Sequence, residues 1–189
     1  AVGYQDLESK QPMRTDTIFQ IRSMTKPMTA VAVLVLQDEG KLSVEDPVEK
    51  YLPEFKGQWL VKEKTADALA LVRPAHAITI RELLTHTSGI GDVAAPRFDC
   101  SLAELVMAYS QQPLRFPPGS KWEYSNPGIN TLGRIVEVVS GLAFAEFMQK
   151  RIFDPLGLKD TTFWPTPSQA KRVAKSYKPS KDGKVLEET

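Results

Sequence analysis

The run Ile21-Arg22-Ser23-Met24-Thr25-Lys26-Pro27-Met28-Thr29-Ala30-Val31-Ala32-Val33-Leu34-Val35-Leu36-Gln37 constrains this chain more than any other stretch. Met24, Met28, Val31, Leu34 and Val35 recur at helical spacing, and Gly40 stands where such a helix would stop, so the pattern predicts one helix. Its first turn carries Ser23 and Lys26. Three residues apart on a helix, two side chains share a face. A serine hydroxyl is a poor nucleophile at neutral pH, and a lysine that sheds its proton in a dry pocket can activate it. A helix start also offers N–H groups and a favourable dipole to charge developing at an attacked carbonyl.

Spacing alone decides little. With 12 Ser and 15 Lys among 189 residues, about one Ser-x-x-Lys is expected by chance. A second does occur, Ser168-Gln169-Ala170-Lys171, in a Pro-rich polar stretch with no long apolar helix behind it. At either position an N-cap serine beside a solvated lysine is the competing reading.

Composition narrows the partners. An apolar fraction of 42% and a charged fraction of 25% suit a soluble globular domain with a sizeable core. The net charge of +1, with both signs interspersed, gives no reason to expect nucleic acid or an anionic membrane as partner. Cys100 is the sole cysteine, so no intrachain disulfide is possible, and His76 and His86 lack metal-ligand spacing. No run reaches the apolar length of a membrane span. Compartment and oligomeric state stay open.

In chain order, residues 1–20 read as strand, turn, strand. Ala1-Val2-Gly3-Tyr4 resembles a strand already under way, and Thr17-Ile18-Phe19-Gln20-Ile21 is β-branched and aromatic. After the long helix come a polar turn from Gly40 to Pro47 and a short amphipathic piece from Val48 to Phe55. Residues 58–78 alternate without a clear period and read as loop or irregular strand. Thr79-Ile80-Arg81-Glu82 fits a capping box before a short helix that buries Leu83 and Leu84. That helix breaks at Thr87-Ser88-Gly89-Ile90-Gly91, where His86 reads as a structural histidine because no carboxylate lies near it at a suggestive spacing. A second box, Ser101-Leu102-Ala103-Glu104, opens a helix through Tyr109 that buries Leu102, Leu105 and Val106. Further helices are expected over residues 128–139, burying Ile129, Leu132, Ile135, Val136 and Val139 with Gly141 as stop, and over residues 143–153. One strand is expected at residues 173–177.

Tyr124-Ser125-Asn126 is the more specific signal. With 5 Tyr and 2 Asn in the chain, a Tyr-x-Asn arises by accident about once in twenty such sequences. It falls on an irregular loop before a helix, where side chains can reach a cleft. A phenol whose pKa is lowered by a nearby cation can pass a proton between nucleophile and leaving group. An Asn amide can hold the lysine with its oxygen and a substrate carbonyl with its nitrogen. An Asx-turn beside a packed Tyr is the competing reading.

Together these stretches resemble the serine β-lactamase and penicillin-binding protein superfamily, in its carboxylesterase-like, class C β-lactamase and D-alanyl-D-alanine carboxypeptidase branches. Ser23-x-x-Lys26 matches its nucleophile motif, with Phe19-x-Ile21-x-Ser23 ahead and the apolar helix behind. Tyr124-x-Asn126 matches its second motif, with Pro118-Gly119 before and Leu132-Gly133-x-Ile135 after. Leu83-Leu84-Thr85-His86-Thr87-Ser88-Gly89-Ile90 and Asp154-Pro155-Leu156-Gly157-Leu158 also look like family segments. The resemblance spans most of residues 15–165 and selects Ser23 over Ser168.

It implies an α+β fold, β-lactamase/transpeptidase-like, with a mainly helical subdomain over about residues 23–160 set against part of an antiparallel sheet. It implies acyl transfer to Ser23 and hydrolysis: Ser23 attacks, Lys26 is base or electrostatic partner, Tyr124 shuttles the proton, and Asn126 orients lysine and substrate. No metal or organic cofactor is required. The substrate is a small ester, a β-lactam or a peptide, and the wording Leu-Leu-Thr-His-Thr-Ser-Gly is closest to the esterase-like members, with β-lactamase or peptidase second. A non-catalytic binding protein that keeps the fold is the alternative of another class. The family completes its site with a Lys/His-x-Gly triad on a strand after the helical region. That strand, and the beginning of the first one, are expected to be missing, so that residues 1–189 form a partial domain.

Overall fold

The computed structural model describes every residue except Phe98, Gly183, Lys184 and Thr189. Its strands are β1 (Tyr4–Asp6), β2 (Gln11–Pro12), β3 (Leu60–Lys64), β4 (Leu69–Val72), β5 (Tyr177–Pro179) and β6 (Leu186–Glu188). Its helices are α1 (Thr25–Asp38), α2 (Ile80–Leu84), α3 (Leu102–Ser110), α4 (Asn126–Ser140), α5 (Phe144–Met148) and α6 (Pro167–Ala170), with short 3-10 turns before α3. α5 runs on as a π-helical stretch, Gln149–Phe153, so that the two together cover the helix expected over residues 143–153. The strands pair antiparallel as β1–β2, β3–β4 and β5–β6. Two compact units result, Ala1–Thr25 with Phe153–Thr189, and Lys26–Ile152.

In the first unit, the expected strand over residues 17–21 does not form. Ile18 makes only an isolated parallel bridge to Val173, donating its N–H to the Arg172 carbonyl at 2.8 Å and accepting that of Ala174 at 2.8 Å. The strand expected at residues 173–177 forms instead as β5, Tyr177–Pro179, sharing only Tyr177 with the expected range. A polar side chain knits the same unit: buried Gln5 accepts the Thr17 hydroxyl at 2.9 Å, and its carbonyl accepts the Lys175 N–H. The Lys175 ammonium bonds Glu188 at 2.9 Å and Asp6 at 3.2 Å, which holds its pKa well above the ordinary lysine range.

The second unit carries the larger core. The helix expected from Ile21 begins as a 3-10 turn, Arg22–Met24, and becomes α-helical at Thr25. Its buried face is Thr29, Ala32, Val33 and Leu36, whereas Val31 and Leu34 are more than 40% exposed. Apolar residues surround this helix, so their spacing does not single out the face that packs. Gly40, at φ +69, closes it as expected, with the Gly40 N–H on the Gln37 carbonyl and the Lys41 N–H on that of Leu36.

Both capping boxes form with each leg in place, Thr79 with Glu82 and Ser101 with Glu104. On α3 the buried residues are Val106, Tyr109 and Ser110, while Leu102 and Leu105 are only partly covered. Of the expected stripe α4 buries Leu132, Ile135 and Val136, leaves Ile129 and Val139 partly covered, and ends at Gly141, φ +72. It packs against α2, α3 and α5. A Cβ on Gly133 would sit 3.3 Å from Leu102 and 3.6 Å from Phe144, so the missing side chain lets α3 and α5 approach α4. The stretch over residues 58–78 is the β3–β4 hairpin, irregular between Val61 and Glu63. Within its two strands only Leu60 is buried, so the alternation of the sequence marks no buried face, and the expected irregular strand is what forms.

A polar hub holds the segment after α1. Asp46 accepts the Ser43 N–H at 2.8 Å, the Lys50 ammonium at 2.8 Å and the Tyr51 hydroxyl at 2.5 Å. Its neighbours then pair with residues 78–81 through Val48 N–H to Ile78 O and Arg81 N–H to Val44 O. Lys50 first, then Tyr51 and the Ser43 N–H, lower the Asp46 pKa from 3.8 to about 2 against the opposing effect of burial. A depressed folded-state pKa contributes stability that is complete above the ordinary value and lost as pH falls through the folded one. We therefore expect Asp46→Asn to flatten the acid limb of a stability-versus-pH curve between 3.8 and about 2. An unchanged acid limb would place the pH sensitivity elsewhere. No helix among the described residues is long and apolar enough to cross a membrane.

Candidate active site

The loop after α2 and the crossing before α4 are stitched together by backbone bonds. Arg115 N–H reaches Gly89 O at 2.8 Å, Gly119 N–H reaches Thr87 O at 2.9 Å, and Glu123 N–H reaches His86 O at 2.9 Å. Gly89 is required here: its φ is +77, and a Cβ would lie 2.3 Å from the Phe116 carbonyl oxygen. Behind the loop Glu82, largely buried, caps Thr79 and bonds His76 Nε2 at 2.8 Å. The Ser125 side chain caps α4 through the Gly128 N–H at 3.0 Å, with Pro127 in the first turn. This scaffold delivers Tyr124 and Asn126, both exposed, at the very start of α4.

Tyr124 meets Lys26. The lysine is the second residue of α1, and its Nζ stands 4.7 Å from the centroid of the Tyr124 ring. A cation over the ring face is attracted by the negative face of the π system. On the same ring packs His86, centroids 5.0 Å apart and tilted by 33°, with Trp122 edge-on to the imidazole at 6.2 Å. His86 Nδ1 also accepts the Ser125 N–H at 3.2 Å. In the sequence His86 reads as a structural histidine, with nothing to connect it to Tyr124. The pairing arises from tertiary stitching, and the only sequence signal for it was the family-like wording around Thr85-His86-Thr87.

Ser23 lies exposed in the 3-10 turn that leads directly into α1, rather than on the α-helix proper. The N–H groups that follow it are engaged within that turn, Met24 to the Ile21 carbonyl and Thr25 to those of Arg22 and Ser23. The expected run of open helix-start donors is therefore not offered by these two residues. Arg22, just before Ser23, has φ +46, a left-handed conformation unusual for a residue with a Cβ. The rival Ser168 sits in α6, within 3.0 Å of the Thr166 hydroxyl that caps that short helix. A hollow of about 330 Å³ lined by Val48, Phe55, Arg73, His76 and Ile78 includes none of the four motif residues.

One sequence expectation needs correction at the level of the string. A Lys-x-Gly does follow Asn126, as Lys181-Asp182-Gly183. Lys181 and Asp182 occupy the turn after β5, with the Asp182 carboxylate accepting the Ser180 hydroxyl at 2.6 Å, and so are not on a strand. Gly183 lies outside the described residues.

Comparison with known proteins supplies the family. The family model described as Beta-lactamase matches residues 1–188. Lovastatin esterase of Penicillium rubens is 36% identical over 187 residues, covering 92% of this chain and 47% of that protein. Esterase EstB of Burkholderia gladioli is 34% identical, covering 94% of this chain and 46% of its own. The crystal structure of FmtA from Staphylococcus aureus superposes with a TM-score of 0.80 at 27% identity, covering 98% of this chain and 48% of that one. The chain spans about half the length of the relatives it matches. With helices and antiparallel strands arranged as in these relatives, the fold is β-lactamase/transpeptidase-like, and the chain belongs to the beta-lactamase family.

Proposed function

We propose that the whole protein is a serine hydrolase that works through an acyl-enzyme on Ser23, with carboxylic esters as its substrates. The observation that carries this reading is the Lys26 ammonium over the Tyr124 ring at 4.7 Å, in a chain that also presents Ser23-x-x-Lys26 and Tyr124-x-Asn126. In this scheme the Ser23 oxygen attacks the ester carbonyl while its proton passes to the Tyr124 phenolate beside the Lys26 ammonium, or to Lys26 itself where that amine is uncharged. The proton then returns through Tyr124 to the departing alkoxide. Water then cleaves the acyl-serine by the reverse relay. Asn126, beginning α4, orients the substrate carbonyl with its amide nitrogen. Support for esters over β-lactams or peptides comes from two esterases among the relatives, each matched over about half its length.

The direct test is covalent. A fluorophosphonate probe should label the protein on Ser23, and Ser23→Ala should abolish labelling together with hydrolysis of short-chain p-nitrophenyl esters. An adduct mapped by mass spectrometry to Ser168, or none in Ser23-containing peptides, would remove the assignment. Preferential turnover of a chromogenic cephalosporin would move the substrate class to β-lactams.

A further inference from the structure

We propose that His86 is a positioning residue for Tyr124, a neutral imidazole that clasps the Tyr124 loop from three sides; the inference rests on the acyl-enzyme reading above. The three grips are separate. The His86 carbonyl accepts the Glu123 N–H at 2.9 Å, Nδ1 accepts the Ser125 N–H at 3.2 Å, and the ring face packs on the phenol between them. The residues gripped through the backbone are the two that flank Tyr124 in the chain. Fixing both neighbours and the ring leaves the phenol little freedom to drift from Lys26.

The geometry also sets the protonation state. A backbone N–H can donate only to an unprotonated nitrogen, so Nδ1 is the acceptor and the proton of the neutral ring resides on Nε2. Protonating Nδ1 would forfeit the Ser125 bond and place a second cation beside the first. Among the described residues, the titratable groups facing the ring are Lys26 of α1 and the Tyr124 phenol. The carboxylates nearest in the chain are taken up elsewhere, Glu123 by Arg115 and Lys121, and Glu82 by His76. Burial first, and then the Lys26 charge, hold the His86 pKa below its ordinary value. The sign follows: the neutral clasp is complete above the ordinary histidine pKa and is lost as pH falls through the lowered folded value.

His86 also has an unusual backbone, φ +59. Among residues with a Cβ, His, Asn and Asp tolerate that region best. Asn therefore offers a clean variant, since it accepts the backbone conformation and carries an amide oxygen near the place of Nδ1 without a titrating ring.

The experiment uses the whole protein with His86→Asn, His86→Ala and Ser23→Ala. Long-range proton–nitrogen NMR should show the Nε2-protonated tautomer at neutral pH, with the Ser125 amide shifting on acidification at the midpoint of His86. An Nδ1-protonated ring, or a Ser125 amide indifferent to that midpoint, would overturn the proposal. In ester hydrolysis, His86→Ala should lower kcat by about 10–100-fold at nearly constant KM, because a misplaced shuttle loses alignment and not binding. His86→Asn should recover to within about tenfold of wild type and lose the acid limb of the kcat–pH profile. His86→Ala turning over like wild type would also refute the clasp. If wild type and Ser23→Ala hydrolyse esters equally, the acyl-enzyme reading fails, and the tautomer measurement still decides for or against His86.

Discussion

Tyr124→Phe is expected to lower turnover of a p-nitrophenyl ester by about 10²–10⁴-fold, the usual contribution of a positioned proton-transfer group, while the melting temperature stays within a degree or so of wild type. The two halves of this expectation have different grounds. The phenol is 49% exposed, so removing its oxygen opens no cavity in the core. Phenylalanine keeps a ring face for the Lys26 ammonium and for the His86 imidazole, so the loop retains its packing. The substitution removes the phenolic hydroxyl and with it the proton it can transfer. An unchanged rate would return Tyr124 to a packing role. A melting temperature lowered by many degrees would show that the hydroxyl is structural, contrary to its exposure.

Local rules carried much of the fold in readable form, and tertiary choices did not. The capping boxes at Thr79 and Ser101 are legible because each needs only four residues, and both close in the structure. The stop signals Gly40 and Gly141 work the same way, through a positive φ that any neighbour with a Cβ resists. α4 was legible because polar residues on one side leave a single apolar stripe. α1 was legible as a helix with its stop, but not its packed face, because it is apolar nearly all round and that face is decided by what lies against it. The β3–β4 hairpin was legible only as loop or irregular strand: with one buried residue in its strands, its alternation carries no buried face that would fix the pairing.

The candidate site divides similarly. Ser23, Lys26, Tyr124 and Asn126 were singled out by motif, and the structure brings Lys26 to the Tyr124 ring. His86 was weighed alone because its partners are backbone groups far along the chain, and the Ser125 N–H carries no sequence signature. The Arg22–Met24 turn was hidden by residues that suit an α-helix as well as a 3-10 turn. Lys181-Asp182-Gly183 shows the converse danger, a family string whose described residues, Lys181 and Asp182, lie in a turn after β5 and not on a strand.

Gly89→Ala should be the most destabilising small substitution in the loop that supports Tyr124, by about 2–5 kcal/mol, or roughly 5–15 °C in melting temperature for a chain of this size. Two penalties add. At φ +77 a Cβ meets its own carbonyl, which applies to any glycine in the left-handed region. At Gly89 the new carbon would also stand 2.3 Å from the Phe116 carbonyl oxygen, a backbone atom that cannot rotate away. The crossing segment would have to retreat, and it is tied to this loop by the Arg115–Gly89, Gly119–Thr87 and Glu123–His86 bonds. Gly141 supplies the control. Its φ is +72, but nothing lies within 4 Å of the Cβ that alanine would add, so Gly141→Ala carries the conformational penalty alone. The difference between the two melting shifts therefore measures the close approach of the loop to the crossing. Equal shifts would mean that the two segments are not held at this distance in solution, and the support proposed for Tyr124 would lose its foundation. A large Gly89 shift accompanied by a fall in ester turnover at temperatures where the variant is still folded would tie that same approach to the placement of the phenol.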